Sequence, residues 1–202
     1  MIDATQFLTH IIRPTLKHLD LHSTAVEMLL LGTAIQESRL GTYLRQIGGG
    51  PALGVYQMEP APHADIWTNF LGNRPDLAAR VTSFVAPWAD RLTNLVTNCA
   101  YATALARIHY FRVRAPLPAA RDLTGLAAYW KDHYGIAAGR GTPADYVTNW
   151  PGAALRRKSW RSDPMLISLS FLAGVALAGA CWCSCSRSWV SLWLFLPCSV
   201  WG

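Results

Sequence analysis

Glu37 is the residue whose setting best suits chemistry. It closes an apolar run that begins Leu29-Leu30-Leu31-Gly32-Thr33-Ala34-Ile35, and a glycine-rich stretch follows it. The chain then returns as Gly54-Val55-Tyr56-Gln57-Met58. A carboxyl at the mouth of a hydrophobic helix is partly desolvated, which favours its neutral form and suits a general acid. The other two glutamates are Glu27 and Glu59. Thr24-Ala25-Val26-Glu27 reads as a capping box, which gives Glu27 a structural role. Glu59 follows the returning segment. It reads either as a solvated loop charge, the favoured assignment, or as a second carboxylate, which would favour hydrolysis. Asp65 reads as an acid near a helix start.

Other constellations are weak. His18 and His22 lie one helical turn apart with no third ligand near in sequence, so they read as a solvated helix face and no metal is expected. Of the five cysteines, Cys99 stands alone in an apolar helical run and reads as a buried thiol. Cys181, Cys183, Cys185 and Cys198 lie close to the C-terminus, without the spaced pairs of a zinc site. No serine sits in a G-x-S-x-G elbow, and Gly48-Gly49-Gly50 lacks the lysine of a phosphate loop. Arg107, Arg112 and Arg114, near Tyr110 and Phe111, could meet nucleic acid, but a solvated basic face is the better reading. Arg39 and Arg45 likewise read as solvated.

The elements that must position Glu37 read as helices. One is expected from Ala4 to His18, kinked or restarted at Pro14. A second begins at Thr24, with Val26, Leu29, Leu30, Thr33, Ala34 and Glu37 on one face, and Gly41 ends it. Residues 41–55 form a loop. Pro60 or Pro62 starts a third helix, Pro75-Asp76 a fourth, and Asp90 to Arg114 reads as one long periodic run. Asp122 to His133 is a shorter helix, and Thr142-Pro143-Ala144-Asp145 opens the last. No strand pattern or internal repeat is evident. The expected class is all-α, with a globular domain over 1–160.

The stretch 164–202 differs. All twelve acids and all but one of the eighteen bases lie in residues 1–163, which makes that part net +5 and suits an anionic polymer. Residues 165–186, MLISLSFLAGVALAGACWCSCS, carry no charge and are long enough to span a bilayer. Arg156, Arg157, Lys158 and Arg161 precede them, and Trp189, Trp193 and Trp201 fit an interfacial belt. The expectation is a hydrophobic C-terminal tail with a candidate transmembrane helix. The N-terminus, MIDATQFLTHIIRP, has no basic n-region and reads as no signal peptide.

Several of these pieces together resemble a family. Glu37-Ser38-Arg39-Leu40, then Gly54-Val55-Tyr56-Gln57-Met58 and Pro60, is similar to the lytic transglycosylase pattern E-S-x-[FL], a loop, G-L-[MWY]-Q-[IM] and a proline. Asn98 to Arg112 resembles that family's central helix. Leu123 to Tyr129 resembles its L-x-x-L-A-x-Y-N segment, although Trp130 stands in place of the asparagine. The stretch YWKDHYGIAAGRGTPADYVTNW looks like the variant in bacteriophage virion enzymes. The resemblance covers about residues 24–150.

It implies a lysozyme-like helical fold and cleavage of the β-1,4 bond between N-acetylmuramic acid and N-acetylglucosamine in peptidoglycan. Glu37 would protonate the bridging oxygen and then accept a proton from the carbon-6 hydroxyl, which attacks the anomeric carbon and leaves a 1,6-anhydro product. Ser38, Gly54, Tyr56, Gln57 and Met58 would meet the glycan. Either Tyr129 or Tyr134 would orient the glutamate. No cofactor or metal is implied. With no signal peptide, the expectation is a virion protein ejected into the host envelope (periplasm and inner membrane). Its partners would be glycan strands, the inner membrane through residues 165–186, and other virion proteins. The alternatives are a non-catalytic structural virion or envelope-channel protein, and a lysozyme-type hydrolase of a conjugation or secretion system.

Overall fold

A computed structural model of the chain describes residues 1–135 and 141–152. The tail over 164–202, with its candidate membrane helix and four cysteines, lies outside the described residues. No helix among the described residues is long and apolar enough to cross a membrane. The described chain is helical, and its only sheet-like pairings are the isolated bridges Arg45 to Leu53 and Leu53 to Met58. The all-α reading agrees with this.

The N-terminal helix does not break at its proline. α1 (Ala4–Phe7) runs into a π-helical turn, Leu8–Ile12, and on into α2 (Arg13–Leu19). A proline lacks the N–H for the usual bond and crowds the carbonyl four residues back. The wider π turn lies just before Pro14, so the helix passes through rather than restarting. Phe7, Ile12 and Leu16 from this composite helix are fully buried.

α3 (Thr24–Ser38) is the axis of the fold. Its Leu29, Leu30, Leu31, Ala34 and Ile35 are all buried, so apolar side chains surround it rather than lining one stripe. It packs against the Leu8–Ile12 turn, α7 (Cys99–Phe111), α8 (Leu123–His133) and α9 (Pro143–Thr148). Its cap differs from the sequence reading. Ser23 accepts from the Val26 N–H, and Glu27 takes no part in the cap. Glu27 is instead buried beneath Arg13, whose guanidinium donates to both carboxylate oxygens at 2.6 and 3.0 Å. His22 Nε2 lies 2.8 Å from the same carboxylate. The two basic partners outweigh burial and hold the Glu27 carboxyl below its ordinary range. His18 and His22 are both exposed, as expected, and His18 Nε2 lies 2.9 Å from Ser83 Oγ.

The segment after α3 leads to α4 (Pro60–Asp65), which passes through a second π turn, Ile66–Phe70, and a short 3-10 turn, Leu71–Asn73. α5 (Pro75–Thr82) follows. The single long run expected from Asp90 is two helices, α6 (Arg91–Thr97) and α7, divided at Asn98. Asn98 is extended, and its side-chain oxygen accepts from the Ala100 and Tyr101 N–H groups. Its amide also donates to the Phe84 carbonyl at 2.6 Å. An asparagine that offers the backbone its own bonds favours a cap over a helix interior. Thr142 and Asp145 form a reciprocal capping box at the start of α9.

Two glycines let these parts come close. A Cβ on Gly32 would lie 1.8 Å from the Tyr146 hydroxyl, so α9 rests on α3 only because position 32 has no side chain. A Cβ on Gly54 would lie 1.9 Å from the Leu95 carbonyl oxygen, and Gly54 has a left-handed φ of 73°.

Candidate active site

α3 carries Glu37 to its last turn and ends at Ser38, not Gly41. Arg39 and Leu40 already have left-handed φ values of 50° and 52°, and the Leu40 N–H bonds back to the Ala34 carbonyl at 3.1 Å. Non-glycine residues in that region carry strain, and the surrounding structure must hold them there. Ser38 supplies part of that hold. Its buried hydroxyl donates to the Val55 carbonyl at 2.6 Å and accepts from the Gly41 N–H at 2.9 Å. The helix end is thereby tied to the returning segment.

That segment is a tight clamp. Leu53 and Met58 exchange two backbone bonds at 3.0 and 2.9 Å. Between them Gln57 is left-handed, with φ 46°, and its side-chain amide donates to the Gly54 carbonyl at 2.7 Å. Beside the clamp and the end of α3 lies a cavity of about 460 Å³. Glu37, Gln57, Met58, Glu59, Trp130 and Tyr134 are among its lining residues. Tyr43, Gln46 and Ile47 line it from the loop, and His109 from α7.

The cavity leaves the Glu37 carboxyl short of water. Burial pushes its pKa up to about 7, against two smaller opposing influences. One is the Trp130 indole, whose Nε1–H donates to Oε1 at 2.8 Å. The other is the positive charge of Lys131. The result is a carboxyl that carries its proton at or near neutrality, as a general acid needs.

The residues singled out in the sequence divide into two groups. Glu37, Gln57, Met58 and Tyr134 line the cavity. Tyr134 is half-buried, and its hydroxyl donates to the Tyr56 carbonyl at 2.9 Å rather than to the glutamate. Ser38, Gly54, Tyr56 and Tyr129 do not line it. Ser38 and Gly54 build the clamp, as described. Tyr56 is fully enclosed, with its hydroxyl 3.3 Å from Thr103 Oγ1. Tyr129 points its hydroxyl to the Ala115 carbonyl at 3.2 Å and packs edge-on against His133.

Trp130 and His109 line the cavity without a role assigned from sequence. Trp130 is noted there only as a departure from a pattern, and its partner is 93 positions away. Glu59, read either as a solvated loop charge or as a second carboxylate, also lines the cavity. His109 Nε2 lies 2.8 Å from the His133 carbonyl oxygen, and burial lowers the pKa of the ring. Its other nitrogen, Nδ1, is buried without a hydrogen-bond partner in the described structure. A lone histidine inside an apolar helical run gives no signal that separates cavity wall from core. Among the described residues, no three His, Cys, Asp or Glu side chains gather to hold a metal ion.

Asp65 and Arg112 form an ion pair away from this cavity. Arg107 lies over the Phe111 ring, so Arg107 and Arg112 are engaged within the fold, while Arg114 is exposed. Compared with models of protein families, with curated proteins and with solved structures, the chain matches none.

Proposed function

We propose that this chain cleaves the β-1,4 bond between N-acetylmuramic acid and N-acetylglucosamine in peptidoglycan, acting as a lytic transglycosylase with a lysozyme-like fold. The observation that carries this reading is one carboxyl, Glu37, held protonated close to neutral pH at a cavity lined by Gln57, Met58 and Tyr134. Glycosidic oxygens leave poorly unless protonated, and a neutral carboxylic acid supplies that proton. The motif resemblance supplies the substrate class. Glu37 gives its proton to the bridging oxygen as the bond to the anomeric carbon breaks. The resulting carboxylate takes the proton of the carbon-6 hydroxyl, whose oxygen closes on the anomeric carbon as a 1,6-anhydro ring. Trp130 keeps the carboxyl in place through both transfers. The net positive charge of residues 1–163 favours approach to an anionic wall.

The biological setting proposed is a bacteriophage virion protein that opens the wall during genome entry, with glycan strands as partner and 165–186 as a candidate inner-membrane contact. A non-catalytic structural role for the same fold gives the Glu37 setting no purpose. The test is digestion of purified peptidoglycan. Glu37→Gln, which keeps the shape and removes the acid, should lower clearing at least ~1000-fold, within the range expected for a lost catalytic acid. Mass spectrometry of the wild-type digest should show anhydro-muropeptides. Equal clearing by wild type and Glu37→Gln would defeat the proposal.

A further inference from the structure

Resting on the glycan-cleaving reading above, we infer that Glu59 is a second carboxylate of the same cavity and activates water, so the chain also hydrolyses its substrate. Four observations point there. Glu59 lines the cavity that holds Glu37. Its backbone is gripped from both sides. Met58 is locked to Leu53 by two backbone bonds, and Pro60 confines the residue before it to an extended conformation, here φ −80° and ψ 155°. The side chain is not used by the fold: it sits at the N-cap of α4 and makes no capping bond there. It forms no ion pair among the described residues either. A half-buried carboxylate on a fixed backbone, lining a cavity and bonded to no side chain among the described residues, is available to a ligand or to water.

Its chemistry complements that of Glu37. Glycosidases pair an acid that holds its proton with a carboxylate that accepts one. Glu59 takes a proton from water as the water oxygen bonds the anomeric carbon. The bond from that carbon to the bridging oxygen breaks, and its electron pair stays with the oxygen. Glu37 protonates that oxygen. One water is consumed, Glu37 ends as carboxylate and Glu59 as carboxylic acid, and solvent exchange resets both. Direct attack by water inverts the anomeric carbon and leaves a reducing end. Ring closure by the carbon-6 hydroxyl competes for the same carbon, so the chain yields two products.

The experiment digests purified peptidoglycan with the full chain in ¹⁸O-labelled water and separates the muropeptides by mass. Wild type should give both anhydro ends and ¹⁸O-labelled reducing ends. Glu59→Gln should lower the ratio of labelled to anhydro ends on the order of 100-fold, the contribution expected of a general base, while anhydro product continues to form. Glu59→Ala with added azide provides a second readout. Azide is a nucleophile that needs no base, so a glycosyl azide should form. Only anhydro ends from wild type, or an unchanged ratio in Glu59→Gln, would overturn the role of Glu59 and leave the glycan-cleaving reading intact. Failure of wild type to release any fragment would overturn both.

Discussion

At the scale of single residues, Glu37 is controlled by opposed influences. Burial favours its neutral form, while the Trp130 N–H and the Lys131 charge favour the carboxylate. Activity that needs the protonated acid should fall as pH rises through about 7. Trp130→Phe keeps most of the ring and removes the N–H. It deletes an interaction that favours the charged form, so the Glu37 pKa should climb. The alkaline limb of the pH–rate profile should then move upward by roughly one unit, equal to about 1.4 kcal/mol. A limb that stays put would show that the indole does not tune the acid. The sequence made Glu37 legible because apolar residues at helical spacing lead straight to it. Trp130 was not legible, because nothing local marks an indole that will meet a carboxyl from another helix. Ser38 and Gly54 build the clamp and do not line the cavity. A motif records which residues a site needs, not whether they touch a ligand or hold the loop that does.

Elements show where the loop takes its shape. The clamp from Leu53 to Met58 rests on the end of α6, with Gly54 against the Leu95 carbonyl. Gly54→Ala would put a methyl group into that oxygen at a left-handed φ. We expect a loss of about 3 kcal/mol or more in urea unfolding, and a cavity distorted at Gln57. An alanine variant with unchanged midpoint and activity would mean that the clamp is free to shift. Helix types were well signalled by periodicity and by the prolines at the starts of α4, α5 and α9. The division at Asn98 was hidden, because apolar residues keep helical spacing on both sides of it. Only the bond from Asn98 to the Phe84 carbonyl reveals why the chain turns there. The cap of α3 failed differently. Ser23 and Thr24 are both good capping residues, and the buried pairing of Glu27 with Arg13 decides between them.

Across the whole molecule, buried titratable groups of opposite sense set the response to acid. His63 is buried against Tyr101, with its Nε2 2.8 Å from the tyrosine hydroxyl, and burial lowers its pKa from 6.5 to about 4. Its stabilisation is complete above pH 6.5 and is lost as pH falls toward 4. Glu37 works in the opposite sense. Its raised pKa gives stability that is complete below about 4.5 and is lost as pH rises through 7. Between pH 4.5 and 6.5 the Glu37 slope offsets that of His63, and His109, whose pKa burial also lowers, adds to the His63 slope. The urea midpoint should therefore fall only shallowly there as pH drops. It should fall more steeply below, where Glu27, with its lowered pKa, also takes up a proton. Glu37→Gln removes one slope. That variant should already lose about 2 kcal/mol between pH 6.5 and 4.5. An identical pH course for both proteins would contradict the account.

The notch at Gly32 also governs timing. α9 seats its Tyr146 ring there and sets it, tilted, against Trp130, the donor to Glu37, at 5.6 Å between centroids. A ribosome makes residue 146 more than a hundred positions after residue 37. A nascent chain halted before α9 has therefore made the carboxyl but not the buttress behind its indole partner. The carboxyl therefore completes its buried surroundings only once α9 has been made and has packed.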